Sequence, residues 1–184
     1  MTDIDPSEAA SALSDIDDVA RRVRQSTIYR ICSLIMIMWG TLVFAGYLVT
    51  YLSPQYSRYA WPVVYVAGIV GSFAISARGY PRTRIRSFNF RTLAAFLLFI
   101  AFGIFVNWLG HFTPRQVGTF WPIYFMLVYT VAGLWVGRAF VTIGASIIAL
   151  TLVGFFFVGS AFPLWMAFVN GGGLILGGFW MRRS

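Results

Sequence analysis

Few side chains in this sequence are equipped for chemistry. There is one histidine, His111, and one cysteine, Cys32. All six acids (Asp3, Asp5, Glu8, Asp15, Asp17, Asp18) fall in the first 18 residues, and none occurs from Val19 to Ser184. The fourteen basic residues are all arginine. A serine–histidine–carboxylate set, a two-cysteine zinc site and a bis-histidine haem each need partners that the body of the chain lacks. The same shortage excludes paired carboxylates for acid–base work and an Asp/Glu proton relay. No catalytic residue, metal ligand or cofactor is therefore expected, and the chain reads as something other than an enzyme.

The remaining polar groups divide into four kinds. Asn107 and Asn170 lie well inside apolar runs. An amide in hydrocarbon needs partners, so each reads first as an interhelical or helix-end hydrogen-bonding group and second as an intramembrane polar site. Asn170 is followed by Gly171, Gly172 and Gly173, a run that weakens a helix unless a neighbour packs closely or the helix locally unwinds. His111 sits in a polar turn; its ordinary reading is an interfacial side chain, and its functional one is a pH sensor, because imidazole changes charge near pH 6.5. Cys32 reads as a small buried hydrophobe. The arginines Arg78, Arg82, Arg84, Arg86 and Arg91 cluster in one loop, where they fit the headgroups of anionic lipid.

These groups are carried on unusually apolar elements. Of the 184 residues, 59% are apolar and 11% charged, against about 45–50% and about 25% in soluble domains. A helix crosses the hydrocarbon core in about 20 residues. Six spans follow: Ile28–Leu52, Trp61–Ala77, Thr92–Leu109, Phe120–Val136, Ala139–Val158 and Phe162–Met181. The breaks are Ser53-Pro54 to Arg58, the arginine loop from Arg78, Gly110 to Arg115, Gly137-Arg138, and Gly159 to Pro163. Reading the fourth and fifth spans as one helix would demand about twice the length a bilayer accommodates.

Charge placement gives the orientation. With the N-terminus in the cytoplasm, twelve arginines face inward and only Arg58 and Arg115 face outward. An even number of spans then returns the C-terminal Arg182-Arg183 pair to the same side. The acidic start and the late, long first apolar run fit an uncleaved anchor rather than a cleavable signal peptide.

The spans also repeat. Ala60-Trp61-Pro62 ends its span at Arg78, and Phe120-Trp121-Pro122 ends its own at Arg138, an offset of 60 residues. The preceding turns, Ser53-Pro54 and Thr113-Pro114, match at the same offset, and Ala161-Phe162-Pro163 to Arg182 is a looser third copy. Pro62 and Pro122 read as first-turn residues, with Trp61 and Trp121 as interfacial anchors. The unit is a helical hairpin repeated three times in parallel orientation. On Ser53-Pro54/Thr113-Pro114 and Arg78/Arg138, the chain resembles the small six-helix bacterial inner-membrane proteins of the HdeD, acid-resistance type. The resemblance implies a stress-related membrane protein without catalytic residues. It departs from that family in its acidic head and in sparser glycine on the odd helices.

Packing faces are visible in the small residues. Gly68, Ser72 and Ser76 in the second span, Gly133 and Gly137 in the fourth, and Gly173 and Gly177 in the sixth recur at four-residue spacing, which lets backbones approach where lipid supplies no hydrophobic drive. The even helices are therefore expected to build the inner or oligomeric contacts, and the phenylalanine-rich odd ones to face lipid. Ahead of the spans, residues 1–13 read as a disordered acidic tail. Residues 14–27 read as an amphipathic cytoplasmic helix: Ser14 offers a capping start, Ile16, Val19, Ala20 and Val23 form a stripe, and Asp17–Arg21 and Asp18–Arg22 pair at i, i+4. Residues 28–184 form the membrane domain. The expected partners are a bilayer with anionic headgroups, a second copy or another membrane protein, and a soluble protein at the N-terminal helix. Nucleic acid is not among them. The leading functional reading is a structural, regulatory or stress-related component of a bacterial inner membrane. The alternative is a channel-like or facilitative transporter of a small neutral or apolar solute.

Overall fold

The computed structural model describes residues 6–79 and 90–183, and every element in it is a helix. In chain order these are α1 (Pro6–Leu52), a 3₁₀ turn (Pro54–Tyr56), α2 (Ser57–Gly79), α3 (Phe90–Leu109), α4 (Pro114–Val136) and α5 (Arg138–Phe157). The chain then runs through α6 (Phe162–Met166), a π-helical segment (Ala167–Gly172) and α7 (Gly173–Arg183) without a break. These last three make one continuous span. Five helical stretches are long and apolar enough to cross a membrane: Tyr29–Leu52, Pro54–Arg78, Pro114–Trp135, Arg138–Phe157 and Phe162–Arg182. The apolar part of α3, Ala94–Leu109, is shorter. The chain is thus an all-α, polytopic membrane protein.

The N-terminal segment differs from its expected division. Residues 6–13, read as disordered, are helical, and α1 continues through the segment 14–27 into the first span for 47 residues. The physical reason lies in the local sequence. Pro6 suits a first helical turn, Glu8 favours the positive end of the helix dipole, and Ala9, Ala10, Ala12 and Leu13 are strong helix formers. No proline interrupts the chain again before Pro54.

Pro62 and Pro122 also take different places from those expected. Helices α2 and α4 begin at Ser57 and Pro114, so both prolines lie inside them. The start signal of α4 is a turn earlier: Thr113 and Gln116 form a reciprocal capping box with Pro114 in the first turn. An internal proline strips the carbonyl four residues back of its N–H. For Pro122 that carbonyl belongs to Gly118, and the Tyr47 hydroxyl of α1 donates to it at 2.8 Å. The side chain of one helix thus repairs the backbone of another. Tyr47→Phe is expected to cost about 1–2 kcal/mol by orphaning this carbonyl. The cost should shrink when Pro122→Ala restores an N–H at that position, as a double-mutant cycle on unfolding in detergent would show.

Packing is uneven around the bundle. The main core joins Met36 of α1, Met126 of α4, Phe140, Ile143 and Ile147 of α5, and Val169, Leu174 and Met181 of the last span. A second cluster holds Val43, Tyr47, Phe162, Met166 and Ala167. Helix α2 lies outside this core against α1, leaving Val63, Val66, Val70 and Phe73 exposed. So an even helix is peripheral and two odd ones, α1 and α5, are central. The reason is local: the small face of α2 is filled by α1, with the Trp39 ring on Gly68 and Met38 on Gly71, while Trp39 Nε1 donates to Ser72 Oγ at 3.0 Å. Helix α3 meets α4 through Phe99 stacked on Tyr124 at 4.0 Å and Gly103 against Trp121. Its Phe96, Phe102 and Phe105 are exposed.

Candidate functional site

The polar groups that the helices bring together lie at the end of the bundle away from the N-terminal extension, here the distal end. Helix α5 stops at Phe157, where the Val158 N–H still reaches the Gly154 carbonyl at 3.0 Å but the carbonyls beyond it need other donors. Arg115, in the first turn of α4, supplies them. Its guanidinium donates to the carbonyl of Phe155 at 2.7 Å, to Gly154 at 3.4 Å, to Gly159 at 3.5 Å and to Val158. The same group lies over the rings of Phe162 at 5.1 Å and Phe155 at 5.5 Å. A planar, fork-shaped cation suits this role, because it reaches several carbonyls at once and presents a flat face to the rings. On sequence alone Arg115 reads only as an outward topology mark; its capping role comes from the fold, which brings the first turn of α4 against the end of α5.

One layer inward stands the Tyr47–Gly118 bond, with Phe162 against Gly118. Beside the Tyr47 hydroxyl lies the side chain of Asn170, in the π-helical segment. Asn170 is 6% exposed and Thr151 of α5 is fully buried. Neither Asn170 Oδ1 nor Thr151 Oγ1 has a protein hydrogen-bond partner. Helix rise places Tyr47, Thr151 and Asn170 about 7–12 Å inside the distal ends of their helices.

Asn107 is not part of this group. It sits on α3, its Nδ2 donates to the Gly103 carbonyl one turn back at 2.7 Å, and its Oδ1 has no partner. His111 lies exposed in the α3–α4 turn with φ 46°, the left-handed region. A β-branched residue tolerates that backbone poorly. Accordingly, His111→Val is expected to lower stability by about 1–2 kcal/mol and His111→Gly not to lower it, as thermal melts of the two variants would show. Among the loop arginines, Arg78 is exposed. Arg82, Arg84 and Arg86 lie outside the described residues, as does the Arg91 side chain.

The small residues define the seams. A β-carbon at Gly133 would stand 2.6 Å from the Val141 amide nitrogen of α5, and one at Gly173 would stand 3.2 Å from Ile147. One at Gly177 would stand 3.0 Å from Ile143 and from Met36. Ser76 is half-buried on α2. Gly137 forms the whole α4–α5 connection at φ 153°, a conformation that glycine adopts freely. The seam between α1 and the last span carries no four-residue repeat of small residues on the α1 side. It brings backbones together at two points: a β-carbon at Gly40 would stand 2.7 Å from the Gly171 carbonyl oxygen, and one at Gly178 would stand 2.8 Å from that of Ser33. Gly40 is the one glycine on this face of α1, since Gly46 meets Val64 and Trp61 of α2, and Gly171 and Gly178 are seven apart, so a four-residue search passes over the seam.

Two open grooves mark the surface. One, of about 410 Å³, lies between α1 and α2 over Leu42, Gly46, Tyr59 and Val63. The other, of about 460 Å³, lies beside the α4–α5 turn and combines Leu134, Trp135 and Val141 with Arg138. Cys32 is half-buried and packs against the main core. No family model, curated protein or solved structure matches this chain.

Proposed function

We propose that this polytopic protein is a non-enzymatic component of a bacterial inner membrane, structural or regulatory in role. The observation that carries the reading is the centre of the bundle. It is filled by Met36, Phe140, Ile147, Met166 and Met181 rather than by a polar passage. A path for solute would need Asn107 and Asn170 to line it together. Asn107 sits on α3, packed on α4 through Phe99 and Gly103, whereas Asn170 lies in the last span beside Tyr47 of α1. In this reading both termini and the arginine loop face the cytoplasm and the three hairpins descend from one repeated unit. Anionic lipid headgroups neutralise the basic surface, since no acid after Asp18 is available to pair with it. Arg138, exposed beside an apolar groove, fits a lipid phosphate with its acyl chain below. The helical extension ahead of the first span, with Val19 exposed, offers a docking arm for a soluble partner, and the exposed faces of α2 and α3 offer contacts to a second copy or another membrane protein.

Purification from native membrane in lipid nanodiscs, followed by mass spectrometry of what remains bound, tests the reading. Stoichiometric protein partners with anionic lipid support it. A lone chain that retains a small molecule and carries solute across liposomes sinks it in favour of the facilitator, the second reading, which the π-helical segment at Asn170 favours. A stress-related role of the HdeD type is the regulatory form of the proposal. If His111 senses acid, His111→Gln should remove a pH-dependent phenotype, and an unchanged phenotype disposes of that role.

A further inference from the structure

Among the described residues, five of the six threonines inside helices follow a rule that Thr151 breaks. In a helix a threonine hydroxyl commonly returns its proton to the carbonyl four residues back. Thr41, Thr50, Thr119, Thr130 and Thr142 do so, onto Ile37, Gly46, Arg115, Met126 and Arg138 at 2.8–3.1 Å. Thr151, more deeply buried than any of them, does not. Its hydroxyl is left for something else.

The helix register says what stands opposite. Ile143 meets Gly177, Ile147 meets Gly173, and Gly154 meets Trp165. The contacts advance in opposite directions along α5 and the last span. Thr151, on the same buried face between Ile147 and Gly154, is therefore level with Val169 and Asn170. Two buried oxygens without partners, Thr151 Oγ1 and Asn170 Oδ1, thus share one depth of one seam, with the Tyr47 hydroxyl alongside. The Tyr47 proton is already committed to Gly118.

The chemistry of these atoms selects their occupant. Asn170 Oδ1 only accepts, so the occupant must donate; Thr151 Oγ1 donates and accepts, so the occupant can also take its proton. A cation would meet acceptors too, yet no carboxylate exists after Asp18 to balance its charge in a low-dielectric interior. A neutral donor of the smallest size remains. We propose that Thr151, Asn170 and Tyr47 form an internal water site that joins α1, α5 and the π-helical segment, with Arg115 and Phe162 closing it on the distal side. The π turn is what such a site requires, because a local change of helical pitch aims Asn170 into the seam. Buried waters of this kind are integral to the packing and exchange slowly.

X-ray radiolytic labelling of the full chain in nanodiscs, with ¹⁸O-water mixing to score slow exchange, tests the site. Bound water generates hydroxyl radicals in place, so Tyr47, only 5% exposed, should be labelled and should take up ¹⁸O slowly. The near-isosteric Thr151→Val should reduce Tyr47 labelling about tenfold, to the level of a dry apolar core, while exposed Tyr59 stays unchanged as the control. Asn170→Leu should do the same, and the two substitutions together should lower the melting temperature by less than the sum of each alone. Unlabelled Tyr47 in the parent chain, or labelling that Thr151→Val leaves intact, overturns the proposal. So does a melting temperature that sodium raises over choline at equal ionic strength in the parent and not in Thr151→Val, which would put a cation in the site.

Discussion

Replacing Arg115 with leucine is expected to lower the unfolding free energy by about 3 kcal/mol or more, since bonds from a charged donor are worth about 1.5–3 kcal/mol each where the acceptors stay dry. Leucine retains apolar bulk against Phe155 and Phe162 but leaves the carbonyls of Phe155 and Val158 without their donor, while those of Gly154 and Gly159 keep the Val158 and Phe162 N–H groups. In water such carbonyls would hydrate. At the edge of a bilayer, beneath two aromatic rings, they are poorly placed to do so. Arg115→Lys should recover only part of the loss, because a single ammonium cannot span the set that the fork spans. Unfolding in mixed micelles, with the α5 end read by hydrogen exchange at the Val158 amide, which bonds the Gly154 carbonyl, would check both the size and the location of the effect. A loss below about 1 kcal/mol would assign Arg115 to an exposed surface pairing instead.

The second large effect lies at the α1 seam. A β-carbon at Gly171 would fall 2.6 Å from Cβ and 2.7 Å from Cα of Phe44, so no side-chain rotation relieves it. Gly171→Val should therefore reach the upper end of the overpacking range, about 3 kcal/mol, and separate α1 from the last span. Gly172 supplies the contrast. Nothing lies within 4 Å of a β-carbon there, and Gly172→Ala should be neutral or stabilising by up to about 1 kcal/mol, because alanine restricts the unfolded chain. Adjacent glycines in one sequence would then answer oppositely in the same thermal melt. Equal responses would mean that the seam is looser than the Gly40–Gly171 approach indicates.

Much of the architecture could be read from apolar run lengths and their breaks, because a bilayer imposes a length and arginine and proline punctuate it. The span ends agree with the helices at Leu52 and Leu109 and near Phe157, where the punctuation is sharp. Where two signals compete, the reading slips. Trp61-Pro62 and Trp121-Pro122 look like helix starts, yet the chain enters each helix earlier, at Ser57 and Pro114, and repairs the internal proline at Gly118 from another helix. Local sequence cannot announce a donor 71 residues away. Helix partners were equally hidden. A span that is apolar on all sides has no favoured face, so the spacing of Gly133 or Gly177 marks a close approach without naming the neighbour. Asn170 was visible as an irregularity through its three glycines. Thr151 was not, since a threonine in a helix ordinarily satisfies itself.

The continuity of α1 has a mechanical consequence. Because α1 is continuous from Pro6 to Leu52, with its only glycines, Gly40 and Gly46, inside the span, its first half is a helical extension of the span rather than a tether. The extension ahead of Tyr29 is about 34 Å long at 1.5 Å per residue. A tilt of the first span by about 10° would swing its tip through about 6 Å. The stroke grows with distance from the pivot, so movements at the Gly40–Gly171 seam arrive at the acidic end magnified, and a load at that end exerts leverage on the seam.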